Sequence, residues 1–280
     1  MNQPFVSVIV TTKNNHPTLN ACLKSITTQT YQNMELIVVD NSSTDDTVDI
    51  ARQYTSLIFT YGPERSAQRN YAAHHAKGNY LLIIDSDMEL GGEVVDACVQ
   101  QVLGSPDTKA VIIPEESFGK GFWARCKNLE RSFYVGVDAI EAARFIKADV
   151  FRQVGGFNEE LTGGEDWDLT WRLREQGQVA RVQEYIRHNE GHVRFKTSAR
   201  KMYYYGRHAA AYFAANPTTS VVRNASGPFA RYKLFFSRPR ALFRHPLVAA
   251  GMLVFKAAEY AAAGVGYWRA KSMPLENVHE

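Results

Sequence analysis

The chain has 280 residues and a mass of 31.5 kDa, with 45% hydrophobic and 22% charged residues. These are ordinary globular proportions; they describe one large domain, or a domain with an appendage, and exclude a disordered, collagen-like or disulfide-scaffold protein. The net charge of +3 is unevenly spread: residues 1–193 hold 18 Lys and Arg against 26 Asp and Glu, while residues 194–271 hold 14 against one acid, Glu259.

That split predicts a catalytic body over residues 1–193 and a helical, basic extension over 194–280 with its own partner. Cys22, Cys98 and Cys126 are too few and too scattered for a disulfide framework, and no CxxC pair is present for zinc. A reducing, cytoplasmic compartment fits that usage. Residues 1–4 lack a basic run, so the start reads as the approach to a strand and not as a leader.

In chain order, residues 5–10 are β-branched and predict a strand. A helix is expected from about Pro17, with Pro at its first position. Residues 36–39 predict a second strand, after which Thr44 is expected to cap a helix opening on Asp45 and Asp46. Strands follow at 57–61, 80–84 and 109–113, separated by helices at 66–76 and 92–103. Continuous apolar strands alternating with helices predict an α/β fold with a mostly parallel sheet covered on both faces. Beyond 115, helices are expected at 119–131 and 166–176, a strand region at 141–147, and a loop between His188 and His192. From 194 the chain reads as helical, with a break at Asn216-Pro217. Residues 247–268 are almost wholly apolar, interrupted by Lys256 and Glu259, and read as an interfacial helix better than as a span.

In parallel sheets, ligands sit outside the carboxyl ends of the strands. That rule selects Thr11–Lys13, then Asp40–Thr44, then Asp85-Ser86-Asp87. Two carboxylates at i and i+2 on a strand end can share a hard cation and the diphosphate it carries. An acid such as Asp40 can accept hydrogen bonds from a ribose or a base, or cap its own loop. Arg65 and Arg69 lie one helical turn apart and could both reach a phosphate, or simply face solvent. Gly163-Gly164-Glu165-Asp166-Trp167-Asp168 opens a helix with an acid cluster, for which capping is the default reading. A histidine after two acid clusters, His188 or His192, is a candidate third metal ligand.

Taken in order, these pieces resemble glycosyltransferase family 2, the nucleotide-sugar enzymes of the GT-A fold. The resemblance runs over roughly residues 5–193. It is carried by Val10-Thr11-Thr12-Lys13-Asn14, Val39-Asp40-Asn41-Ser42-Ser43 and Gln68-Arg69-Asn70, then by Asp85-Ser86-Asp87, Gly155-Gly156-Phe157-Asn158 and Gly164-Glu165-Asp166-Trp167-Asp168. Many members carry Phe-Asp where this chain has Phe157-Asn158. The resemblance implies that Thr11, Thr12 and Asp40 hold the nucleoside and that Arg69 lies near the diphosphate. It also implies that Asp85, Ser86 and Asp87 bind the metal–diphosphate, that His188 completes the metal site with His192 in reserve, and that Asp166 is the catalytic base. The expected activity is metal-dependent (Mg²⁺ or Mn²⁺), inverting transfer from a nucleotide-diphosphate sugar donor to an acceptor hydroxyl on a glycan or lipid-linked acceptor. Glu115, Glu116, Phe118, Phe122 and Trp123 would border the acceptor, unless Phe122 and Trp123 are core on a helix.

In the extension, Arg231, Lys233, Arg238, Arg240 and Arg244 are interleaved with aromatic side chains, which suits an anionic membrane surface at the cytoplasmic face. The same apolar, basic stretch would also suit a homodimer, and no motif supports a nucleic-acid partner. A sugar-1-phosphate nucleotidyltransferase would need a glycine-rich loop after the first strand, and Thr11-Thr12-Lys13-Asn14-Asn15 has none. A non-catalytic nucleotide-sugar or membrane-binding module would show a degenerate acid motif, and both acid motifs are present.

Overall fold

The computed structural model describes residues 3–161, 163–215 and 227–272. The chain divides into two compact units. The first comprises Met1–Glu116, Glu141–Glu159 and Glu165–Asn189; the second comprises Ser117–Ile140, Glu160–Gly164 and Glu190–Glu280.

The first unit is built on a seven-stranded sheet in the order β3-β2-β1-β4-β8-β6-β9. Its strands are β1 (Val6–Thr12), β2 (Met34–Asp40), β3 (Ile58–Thr60), β4 (Tyr80–Asp85), β6 (Thr108–Ile112), β8 (Ala143–Lys147) and β9 (Gln178–Arg181). β1 runs parallel to β2 and β4, and β2 parallel to β3. β8 is antiparallel to both its neighbours, β4 and β6. This is the mostly parallel α/β sheet that the apolar runs predict.

Successive strand residues face opposite sides of a sheet, and the core divides accordingly. Val6, Val8 and Val10 of β1 pack on one side with Leu82 and Ile84 of β4, under α1 (His16–Thr27) and α4 (Val94–Gly104). Ile9, Leu81 and Ile83 pack on the other side, under α3 (Arg65–His75), α6 (Ala148–Gln153) and α7 (Glu165–Arg174). Cys22 and Cys98 are free and buried within the first of these layers.

Three local expectations change. α2 spans Thr47–Arg52, not a helix from Thr44, because Asn14 Oδ1 accepts the Thr44 amide while Asp45 takes the Thr47 amide. β5 (Met88–Leu90) is too short to show as a pattern in sequence. Residues 186–192 are not a loop: they form β10 (Ile186–His192), which pairs antiparallel with β5 and gains its backbone bonds there. β5, β10 and β7 (Glu115–Lys120) make a separate three-stranded sheet.

The second unit holds α5 (Phe122–Ser132), α8 (Phe195–Ala215), α9 (Pro228–Ser237), α10 (Pro239–Arg244) and α11 (Pro246–Ser272). α5 starts after the expected Gly119, because residues 119 and 120 belong to β7. Its core contains Cys126, Phe133, Phe235, Leu242, Ala249 and Met252. Trp123 packs against Phe195 and Phe255, and Phe122 lies beside Gly251, so these two rings are built into this helical packing. α8 and α11 approach closely: a Cβ on Gly206 would lie 2.1 Å from the Ala263 carbonyl oxygen, and one on Gly266 would lie 2.2 Å from that of Tyr203. Among the described residues, α11 is long and apolar enough to cross a membrane by length and composition. The expected break at Asn216-Pro217 lies outside the described residues.

Candidate active site

The parallel strands β1, β2 and β4 all end at one edge of the sheet, and their register places four expected site residues side by side. Thr11 is level with Asp85, and Thr12 with Asp40. Both threonine hydroxyls are buried and, among the described residues, find no hydrogen-bond partner. Asp40 is also buried: its carboxylate accepts from the Ser43 amide at 2.8 Å and from the Ser43 hydroxyl, closing the turn after β2.

The loops above this edge are laced together by asparagines. Asn14, in the left-handed region at φ 47°, donates its amide to Ser43 Oγ at 2.7 Å. The Asn15 amide donates to Thr47 Oγ1, and its side chain donates to Ser86 Oγ at 2.7 Å. Thr18 of α1 donates to the Ser86 carbonyl. Ser86 is therefore fixed by the start of α1.

Each residue of the Gln68-Arg69-Asn70 run on α3 ties down a different part of the site. Gln68 Nε2 donates to the carbonyls of Val39 and Thr12, at the ends of β2 and β1. Asn70 makes a reciprocal pair with Phe157, its amide group donating to the carbonyl and its Oδ1 accepting the backbone N–H. Gly156 permits this pair, because at φ 67° a Cβ there would sit 2.5 Å from Asn70 Oδ1. Arg69 has no exposed surface. Its NH2 bonds Asp85 at 2.6 Å, its NH1 bonds Asp166 at 2.9 Å, and Glu165 lies at 3.5 Å. Its guanidinium also sits over the Phe157 ring, 4.9 Å from the centroid. The structure thus gathers Arg69, Asp85 and Asp166, three residues spread over α3, the end of β4 and the start of α7.

The electrostatics follow from this packing. Burial works against the charge on Asp85, but Arg69, Arg144 and Arg65 outweigh it and hold its carboxyl well below the usual range. Burial and the charge of Asp166 push Glu165 up, against the pull of Arg65 at 3.2 Å and of Arg69. Arg144 of β8 is a member of this cluster that the motif reading did not identify. It bonds Glu115 at 2.7 Å and lies 3.8 Å from Asp85, and it is buried. Its signal in sequence is weak, an arginine in a short strand that also ends on Lys147.

Asp87 and His188 form a second group, with His188 Nε2 3.2 Å from Asp87 Oδ2 and Nδ1 3.9 Å from Glu115. His188 reaches Asp87 because β10 pairs with β5 in a register that sets His188 opposite Met88. His192, four residues along the same strand, lies against Gly121 in the second unit. The expected triad of Asp85, Asp87 and His188 is not assembled around one point: among the described residues, no three His, Cys, Asp or Glu side chains gather as a metal site. The Asp87–His188 pair, an oxygen and a nitrogen donor with Asp87 partly exposed, does fit a divalent ion that takes its other ligands from phosphate and water.

Comparison with known proteins bears on the family and the fold. A sequence model described as glycosyl transferase family 2 matches residues 7–152. Glycosyltransferase AglE of Haloferax volcanii is 28% identical over 62% of this chain and 62% of its own length. The UDP-Glc:alpha-D-GlcNAc-diphosphoundecaprenol beta-1,3-glucosyltransferase WfaP of Escherichia coli is 38% identical over 30% of this chain and 35% of its own length. The chain therefore spans less than two thirds of either relative. Among solved structures, the mannosyltransferase PcManGT of Pyrobaculum calidifontis, in complex with GDP-Man and Mn²⁺, superposes with a TM-score of 0.63. It covers 96% of this chain and 88% of that one at 19% identity, a likeness of fold.

Proposed function

The chain belongs to glycosyltransferase family 2, and from that premise we propose a metal-dependent, inverting transferase. It moves a sugar from a nucleotide-diphosphate donor to an acceptor hydroxyl on a lipid-linked or cell-envelope glycan. The observation that carries the reading is the clasp of Arg69 on Asp85 and Asp166. It holds a strand-end carboxylate on one terminal nitrogen of the guanidinium and a helix-start carboxylate on the other, and so keeps the two groups proposed for the leaving-group and nucleophile ends of the displacement in one fixed arrangement.

In this reading Thr11, Thr12 and Asp40 hold the nucleoside at the strand ends, and Ser86 borders the diphosphate. Asp87 and His188 would hold Mg²⁺ or Mn²⁺, with Asp85 beside them on the same turn and held by Arg69; when bound, the ion would neutralise charge on the departing diphosphate. Asp166 accepts the proton of the acceptor hydroxyl as that oxygen attacks the anomeric carbon. One such displacement inverts the configuration. Arg69 orients both carboxylates. Residues 1–193 carry the chemistry, and the extension over 194–280 keeps the enzyme peripherally at the cytoplasmic face of a membrane. The GDP-Man and Mn²⁺ bound to PcManGT, and the diphosphoundecaprenol-linked acceptor in the name of WfaP, support the donor, metal and acceptor classes.

The test is nucleoside diphosphate release from UDP-, GDP- and dTDP-sugars, with Mn²⁺ and with EDTA. One donor is expected to turn over slowly, and EDTA is expected to abolish that turnover. Turnover that is unchanged in EDTA, or in Asp166→Asn, refutes the respective role.

A further inference from the structure

Helix α11 is apolar on both faces: Ala249, Met252 and Phe255 are buried against the second unit's core, and the outward face is apolar as well. Leu247, Val254, Ala257, Ala261, Val265 and Trp268 are exposed at helical spacing and form an apolar stripe about 33 Å long. The charged residues in its middle point the other way. Glu259 is only 3% exposed and accepts from Lys127 at 2.8 Å and from Ser198 at 2.6 Å. The Lys256 ammonium lies 2.6 Å from Glu130 of α5. The preceding helices continue the pattern: Phe229, Phe236 and Phe243, seven residues apart, are 84%, 61% and 77% exposed. Lys233, Arg238, Arg240 and Arg244 are exposed among them. Glu259 is the sole acid between residues 227 and 272 and it is buried, so the exposed charge of this segment is positive.

We propose that α9, α10 and the outer stripe of α11 form a docking face for an anionic membrane. α11 lies in the plane of the interface, and the arginines sit among the lipid headgroups. This deepens the peripheral location proposed above by naming its surface and mode, and it does not depend on the catalytic roles.

Three observations favour this occupant. A crossing helix would carry its packing partners into hydrocarbon, yet α8, which touches α11 at Ala263 and Gly266, exposes Lys196, Arg200 and Lys201. α5, on the other flank, exposes Arg125. Lying flat, only the stripe enters. A second copy of the chain would set the same arginines against themselves, since a two-fold contact is self-complementary. Single-stranded nucleic acid could stack on Phe229, Phe236 and Phe243 but would leave the aliphatic part of the stripe, Leu247, Val254 and Val265, in water, whereas a membrane covers both.

The experiment uses the full chain with vesicles of phosphatidylcholine, alone or with phosphatidylglycerol, under rising salt. Binding is expected only with phosphatidylglycerol, and an alkaline carbonate wash should release it. Arg240→Gln with Arg244→Gln should weaken binding about 30-fold at low salt. Val254→Glu with Val265→Glu, both at exposed positions, should abolish it. Donor hydrolysis and the circular dichroism spectrum, read on the same variants, separate a failed docking face from a failed catalytic reading or a failed fold. The proposal is overturned by indifference to phosphatidylglycerol, or by retention through the carbonate wash. It is equally overturned by a lipid-free dimer that Val254→Glu makes monomeric, or by tighter capture of a single-stranded oligonucleotide than of the vesicles.

Discussion

Arg69 presents no surface to solvent, yet two of the residues proposed for the chemistry meet on it. A guanidinium spans two carboxylates with a planar fork, which an ammonium does not do. Arg69→Lys should therefore keep the local charge and the fold but hold only one carboxylate at a time. Turnover should fall by about 10- to 100-fold, the loss of one charge-assisted bond, with nucleoside diphosphate affinity unchanged. Parallel turnover and equilibrium binding measurements check this; equal losses in both would place Arg69 on the diphosphate instead. Arg69→Met should be far worse, because Asp85, Asp166 and Glu165 would remain packed together with less positive charge to balance them. A loss of about 3–5 kcal/mol in stability is expected, read from a urea titration. The places of Asp85 at the end of β4 and of Asp166 in the first turn of α7 are legible in sequence, from the apolar run before one and the glycines before the other. The neighbours of Arg69 are not. Asp166 lies 97 residues away, and Arg144 reaches Asp85 only because β8 inserts antiparallel between β4 and β6.

At the scale of elements, β1, β2 and β4 are legible because long apolar runs have one good solution, a strand covered on both faces. The misreadings fall where a distant partner decides. Thr44 is a sound cap in isolation, but Asn14 binds its amide and the helix starts at Thr47. His188 to His192 contains Asn, Glu and Gly, weak strand formers, and becomes part of β10 because that strand lies between β5 and β7 in the small sheet. The turn between α6 and α7 shows the opposite case, in which two local signals, Gly155-Gly156 and Asn70, prove to be one interaction. Gly156→Ala would force a Cβ to 2.5 Å from Asn70 Oδ1 at a φ of 67°, and so break the reciprocal bond to Phe157. We expect about 2–4 kcal/mol of destabilisation from strain and the lost bonds together. Asn70→Ala, which relieves the clash, should lessen the effect of Gly156→Ala when the two are combined. Chemical denaturation of the two single variants and the double variant measures this coupling, and strict additivity would exclude it.

Over the whole molecule, the charge asymmetry in the sequence resolves into two kinds of charge. The exposed arginines of α10 answer to solvent or a surface, whereas Lys127, Glu130, Lys256 and Glu259 form a buried network that joins α5 to α11. Burial alone would raise the Glu130 carboxyl, but Lys256, Lys127 and a bond from Tyr134 outweigh it and bring it to about 2 from an ordinary 4.5. A carboxylate depressed on folding adds stability that is fully present above its unfolded value and is lost as pH falls toward its folded value. The window for Glu130 is therefore from about pH 4.5 down to about 2, with a size on the order of 3 kcal/mol. Other carboxylates, Asp85 among them, titrate at acid pH as well, so the informative quantity is a difference. Wild type and Glu130→Gln should differ most in melting temperature near neutral pH, and the gap should close as pH falls through that window. Fluorescence of Trp123, which packs on Phe255 of α11, reports the unit concerned. A gap as wide at pH 2 as at pH 7 would mean that Glu130 stabilises by packing and not by charge. It would also remove the electrostatic reason why α11 turns its charged residues inward and its apolar stripe outward.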